Sequence, residues 1–156
     1  MKYLDKCDDL TIIGTSVTDY GIRKLVKCNK IRLIDCQLLE GSFLHYFNDY
    51  HTIELTEHES FFDWRLEQFK NCHTVNIKGC YNVTDAGIVL LKHCHTLNLS
   101  ECRKITDKGI MKLGNCHDLN ISGTDVTDKF LGSKLLPQTL HHTGVLQVTG
   151  ELAAPK

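Results

Sequence analysis

The spacing of the cysteines constrains this chain more than any other feature. Cys72, Cys94 and Cys116 fall 22 residues apart. Cys28 lies 44 residues before Cys72 with Tyr50 midway, and Cys7 precedes Cys28 by 21. A fixed period near 20 residues marks a stacked repeat, and it decides how every local motif is read. Six units follow: 7–27, 28–49, 50–71, 72–93, 94–115 and 116–136. Unit 5, CHTLNLSECRKITDKGIMKLGN, aligns without a gap on unit 4, CHTVNIKGCYNVTDAGIVLLKH. Units 1 and 6 are each one residue shorter and match through GTSVTD and GTDVTD.

Within a unit the fourth position is apolar in all six copies: Leu10, Ile31, Ile53, Val75, Leu97 and Leu119. So is the sixth: Ile12, Leu33, Leu55, Ile77, Leu99 and Ile121. Apolar, polar, apolar is the two-residue period of a short strand with one buried face. Ile105, Ile110 and Leu113, matched by Val83, Ile88 and Leu91, then change the spacing to that of a helical turn. Thr-Asp just ahead supplies an N-terminal cap for it. No unit buries its apolar face alone, so stacking has to bury all of them in one core.

The pattern C-x-x-L-x-L-x-x-C-x-x-I-T-D-x-G-I-x-x-L resembles the cysteine-containing leucine-rich repeat family over residues 7 to about 136. The resemblance implies an α/β solenoid with a parallel concave sheet of about six strands and short helices or 3₁₀ turns on the convex side. It implies a scaffold that binds other proteins and is not an enzyme. Some members select substrates for ubiquitin ligases behind an F-box, which gives the alternative role and a ubiquitin-ligase adaptor as the alternative partner. It also implies that the second cysteine position, Cys36, Cys80 and Cys102, hydrogen-bonds backbone groups of the loop leaving the strand. His58 takes that place in unit 3 and is expected to serve through a ring N–H. Uniform repeats of this kind also resemble stand-alone repeat proteins of protists and large DNA viruses.

Composition narrows the function. The chain has 156 residues, 42% of them hydrophobic and 24% charged, which fits one folded domain. No run of 18 apolar residues is present, so no membrane partner is expected. Eighteen basic against 19 acidic side chains leave no basic surplus for nucleic acid. The start, MKYLDKCDD, has no apolar signal core, so a cytoplasmic setting with eight reduced cysteines is expected.

The pairs Cys72-His73, Cys94-His95 and Cys116-His117 invite a thiol-enzyme or metal-binding reading. Neighbours along a strand point to opposite faces, and a row of thiols is a ladder where zinc wants a tetrahedron. Small buried apolar groups are the expected role of the cysteines, with no cofactor and no metal. At ~4.8 Å spacing, adjacent ones lie close enough to cross-link on oxidation. His73, His95 and His117 share a row, so mild acidification is expected to set like charges together and weaken stability or association.

Binding residues are expected on the strand face and in unit 3. On the strands they are Arg32, Glu54, Thr74, Asn76, Lys78, Thr96, Asn98, Ser100 and Asn120. The three asparagines form an amide row whose rungs either pair with one another or meet a partner. Six strands of three residues make a patch of roughly 300 Å², against ~800 Å² per partner in a standard interface. A tight partner must therefore reach beyond the sheet. Unit 3 carries five carboxylates against two cations, and in and beside it lies an aromatic cluster of Phe43, Tyr46, Phe47, Tyr50, Phe61 and Phe69. Phe62 and Trp64 align with outward positions and read either as a binding hot spot or as local core. The tail 137–156 reads as a degenerate cap, with Val145–Thr149 a further strand, or as a flexible end. Open ends leave self-association available.

Overall fold

The computed structural model describes residues 8–23, 28–43, 52–114, 116–127, 129 and 139–141. Cys7, Leu44, Tyr46, Phe47, Tyr50, Pro137 and the Val145–Thr149 segment fall outside the described residues. The strands are β1 (Asp9–Ile13), β2 (Lys30–Ile34), β3 (Thr52–Thr56), β4 (Thr74–Asn76), β5 (Thr96–Asn98), β6 (Asp118–Asn120) and β7 (Thr139–His141). They form one sheet in chain order, with every neighbouring pair parallel. Between them run α1 (Asp19–Ile22), α2 (Asp85–Ile88), α3 (Asp107–Ile110) and the 3₁₀ helices Asp63–Phe69 and Val89–Leu91. The chain is an α/β solenoid. The sheet has seven strands where six units were expected, because Thr139–His141 continues the row and sets Leu140 beside Leu119.

Register follows the 22-residue rhythm. Leu10, Ile31, Ile53, Val75, Leu97, Leu119 and Leu140 face one another in sequence across the sheet. From Ile31 to Leu119 this row is buried, and the second row, Leu33, Leu55, Ile77, Leu99 and Ile121, lies beside it in the same core. Burying one such side chain contributes about 1.5–3 kcal/mol, so the rows supply the main force that stacks the units.

Each of β1 to β6 leaves through one left-handed residue: Gly14, Asp35, Glu57, Gly79, Glu101 and Gly123, with φ between 50° and 71°. A non-glycine residue there costs roughly 1–2 kcal/mol. The bend lets the strand ladder continue for one more bond, as in Gly79 N–H to Ser100 O at 2.9 Å.

Thr84 and Thr106 cap their own helices by accepting from Ala86 N–H and Lys108 N–H. The aspartates do something else. Asp63 accepts from Thr84 N–H at 2.7 Å and Thr84 Oγ1 at 2.6 Å in the following unit. Asp85 holds Thr106 in the same way, and Asp107 holds Thr127. Asp19 holds the Glu40, Gly41 and Ser42 N–H groups and the Ser42 hydroxyl. The carboxylate is thus a clamp between units on the helical side.

Among the described residues no carboxylate clamp joins units 2 and 3. By the 22-residue register Glu40 stands in the threonine place of unit 2, Gly41 where aspartate stands elsewhere and Phe43 in the glycine place, while Ser42 donates to Asp19. Phe62 replaces the receiving threonine. Arg65 replaces the glycine that Gly87 and Gly109 supply, and its side chain lies against Gly41. Unit 3 nevertheless forms the longest helical segment among the described residues, the seven-residue Asp63–Phe69 turn, with Leu66 and Phe69 buried. It is not a poorly formed helix.

Candidate functional site

The strand residues that alternate with the core line a shallow groove over the sheet, with a volume of about 260 Å³. Glu54, Thr74, Asn76, Thr96, Asn98, Asp118 and Asn120 line it. Parallel register brings Asn76, Asn98 and Asn120 side by side. Each carboxamide oxygen accepts from the backbone N–H two residues on: Lys78 at 3.1 Å, Ser100 at 3.0 Å and Ser122 at 3.0 Å. The rungs are therefore fixed by their own strands and not by one another, which corrects one expectation for the row. With the oxygen held inward, three Nδ2 groups remain without a hydrogen-bond partner among the described residues. They form a line of preset donors.

The structure divides the expected binding residues. Thr74, Asn76, Thr96, Asn98, Asn120 and Glu54 share the groove. Arg32 sits on the adjoining strands, held by Asp9 at 3.0 Å, Thr11 at 2.8 Å and Glu54 at 3.5 Å. Lys30 adds a 3.4 Å ion pair to Glu54, so the charges at this end of the sheet largely neutralise one another. Lys78 is exposed in the turn after β4. Ser100 is only 6% exposed, and its hydroxyl donates to Asn98 Oδ1 at 2.7 Å. It braces the groove from below and does not form its surface, because the strand has already ended at Asn98 and bent inward. Phe62 and Trp64 stand apart from the groove on the helical side. They are 44% and 67% exposed, so the local-core reading of these two does not hold.

Beside the groove the three histidines stack. His73 and His95 have ring centroids 4.6 Å apart, and His95 and His117 4.4 Å apart. His73 Nδ1 and His95 Nδ1 each lie 3.3 Å from the hydroxyl of the next threonine, which orients the rings along the groove wall.

The cysteines lie behind the sheet. Cys28, Cys36, Cys72, Cys80, Cys94 and Cys102 are buried free thiols, and Cys116 is half-buried. Burial pushes the thiols of Cys80 and Cys94 up to about 12, and those of Cys72, Cys102 and Cys116 up to about 11. At neutral pH they stay protonated, the unreactive form. Cys36, Cys80 and Cys102 donate to Ile12 O, Leu55 O and Ile77 O of the preceding unit, at 3.6, 3.4 and 3.2 Å. His58 does not repeat this bond. Its ring is 1% exposed, and neither nitrogen has a hydrogen-bond partner. The Cys36 carbonyl lies near enough to favour the proton without completing a bond. Burial outweighs it and pushes the ring below its ordinary 6.5, helped by the Arg65 charge. Among the described residues no cluster of His, Cys, Asp or Glu has the geometry of a metal site.

No described helix is long and apolar enough to cross a membrane. No family model and no curated protein sequence matches the chain. Among solved structures it is similar to one described as the complex of Rad7 and Elc1 in yeast, at a TM-score of 0.62 and 17% identity. The match covers 88% of this chain but 44% of the other, so the chain spans less than half of the protein it resembles. At that identity the likeness is one of fold: the same stacked architecture built from a different sequence.

Proposed function

We propose that the chain is a non-catalytic protein-interaction scaffold of the leucine-rich repeat type, which binds a partner protein through the sheet-face groove. One observation carries this reading: the in-register row of Asn76, Asn98 and Asn120, each carboxamide turned the same way by its own backbone. Preset donors lose little freedom on binding. Polypeptide carbonyls are the natural acceptors for them. Thiols held protonated fit structural packing in a reducing, cytoplasmic setting, and no residue is assigned a catalytic role. Neither nucleic acid nor a membrane is proposed as a partner.

Affinity capture from native cells with the full chain tests the proposal. A protein retained by the wild type and lost with Asn98→Arg supports the groove; a partner bound equally by wild type, Asn98→Arg and Asn120→Arg removes it. A second reading draws on the Rad7–Elc1 likeness, a fold of this kind assembled with a protein partner. Here the chain is the substrate-recognition part of a ubiquitin ligase, with its adaptor-binding element supplied elsewhere. Capture of a Skp1-type adaptor by the chain would favour it.

A further inference from the structure

The three asparagines of the groove are set to give hydrogen bonds and not to take them. Each Oδ1 is turned onto its own strand's backbone at 3.0–3.1 Å, which leaves Nδ2 unpaired among the described residues. The carboxylates of the groove are engaged or set aside. Glu54, at one margin, is held by Lys30 at 3.4 Å and Arg32 at 3.5 Å. Asp118, at the other, stands in the row of Thr74 and Thr96, two residues along the strand from the asparagine row. A chain complementary to the asparagines therefore brings acceptors, without donors and without charge. Proline is the one residue whose backbone carries a carbonyl and no N–H.

Spacing selects the same chemistry. Register puts Asn98 one strand from Asn76 and Asn120 two strands from it. At ~4.8 Å per strand, Asn76 and Asn120 are ~9.6 Å apart. A chain laid across the strands has to present carbonyls in step with that row. An α-helix does not, because its carbonyls accept from its own amides. In an extended strand the carbonyls of one edge recur every second residue, ~6.7 Å, which falls between one rung and two. A polyproline II helix makes no internal hydrogen bonds. Its three residues per turn, at ~3.1 Å each, bring equivalent carbonyls round every ~9.3 Å. That lies within ~0.3 Å of two rungs.

We propose that the groove takes a proline-rich segment of a partner protein, held as a polyproline II helix that runs across the strands. This rests on the groove being the binding site. Two carbonyls three residues apart accept from Asn76 Nδ2 and Asn120 Nδ2. The two carbonyls between them turn ~120° to either side, so Asn98 meets neither squarely and contributes least. Segment and donors are each fixed before they meet, so little freedom is lost on binding.

The probe is a capped peptide of nine prolines titrated into the full chain. The capped peptide GSGSGSGSG runs alongside; it has carbonyls without the fixed period and adds N–H donors. The readout is the set of asparagine side-chain amide signals in ¹⁵N NMR, assigned from the variants that follow. A saturable shift of the Asn76 and Asn120 signals is expected with nine prolines, about fivefold or more weaker with the glycine-serine peptide. Added salt is expected to leave it unchanged, since no ion pair forms. Asn76→Asp and Asn120→Asp keep the inward oxygen and exchange the donor for an acceptor. Each is expected to weaken the proline peptide about fivefold or more, as for one lost hydrogen bond, with the circular dichroism spectrum unchanged. Asn98→Asp is expected to weaken it less than either. Absence of a saturable shift with nine prolines overturns the proposal. So does equal binding of the glycine-serine peptide, binding that both Asn76→Asp and Asn120→Asp leave intact, or a larger loss with Asn98→Asp than with those two. A native partner lost with Asn98→Arg while nine prolines fail to bind leaves the groove reading standing and removes the proline-rich segment alone.

Discussion

A glycine inside a short helix normally weakens it by about 1 kcal/mol relative to alanine. Gly87 and Gly109 reverse that sign. A Cβ at Gly87 would run into the Asp63 carboxylate, and one at Gly109 into that of Asp85. Gly87→Ala is expected to destabilise by about 1–3 kcal/mol in urea unfolding, the range for overpacking. In combination with Asp63→Ser the loss should be smaller than the sum of the two, because the second change removes what the first collides with. An equal or greater loss in the double variant would refute the clash. Burial of His58 adds a pH dependence. Its folded-state pKa lies below the ordinary 6.5, so between the two values the unfolded chain binds the extra proton. The associated stability is present above about pH 6.5 and is lost as pH falls below it. Thermal melts at pH 7.5 and 5.5 should show a drop that His58→Gln reduces. The stacked His73, His95 and His117 rings are common to both proteins, so the difference between them isolates the buried ring.

At the scale of the element, stability is carried from unit to unit and not within units. Helices α1, α2 and α3 have four residues each, too few to persist alone. The Asp-to-Thr clamp adds two hydrogen bonds to an ionised acceptor per junction, each worth about 1.5–3 kcal/mol when buried and less here, where they are partly exposed. Asp85→Ala should therefore cost on the order of 1–3 kcal/mol in urea unfolding, while Lys108→Ala, on the outer face of α3, should cost under about 0.5 kcal/mol. A smaller loss for Asp85→Ala than for Lys108→Ala would remove the clamp. The same contrast explains what was legible in the sequence. The strand register could be read because it depends on hydrophobic alternation and period alone, and Leu97 lies beside Leu119 as that period requires. Thr-Asp reads as a cap for its own helix. The threonine does cap Ala86 and Lys108, but the aspartate turns to a unit 21 residues later, a contact that local spacing cannot show. The burial of Ser100 was hidden for a related reason: alternation was extended past Asn98, where the left-handed Glu101 turn ends it. A usable signal was present in units 2 and 3, where Arg65 replaces glycine in the same junction at which Gly41 replaces aspartate.

Across the whole molecule, a solenoid behaves as a row of units joined by nearest-neighbour terms, so its weakest junction decides where it opens first. Units 1 and 2 are clamped through Asp19, and units 3 to 6 through Asp63, Asp85 and Asp107. Units 2 and 3 share the hydrophobic rows but, among the described residues, no carboxylate clamp. The ladder of turn amides reflects this: Gly14, Glu57, Gly79 and Glu101 reach the next unit at 2.7–2.9 Å, whereas Asp35 N–H reaches Thr56 O at 3.2 Å. Native-state hydrogen exchange should therefore find the Asp35 amide opening at lower free energy than those of Glu57, Gly79 and Glu101. Restoring the repeat's own residues with Gly41→Asp, Phe62→Thr and Arg65→Gly should raise Asp35 protection toward that of its neighbours. If Asp35 instead exchanges only with global unfolding, in step with Glu101, the missing clamp has no energetic consequence and the molecule opens as a single cooperative body.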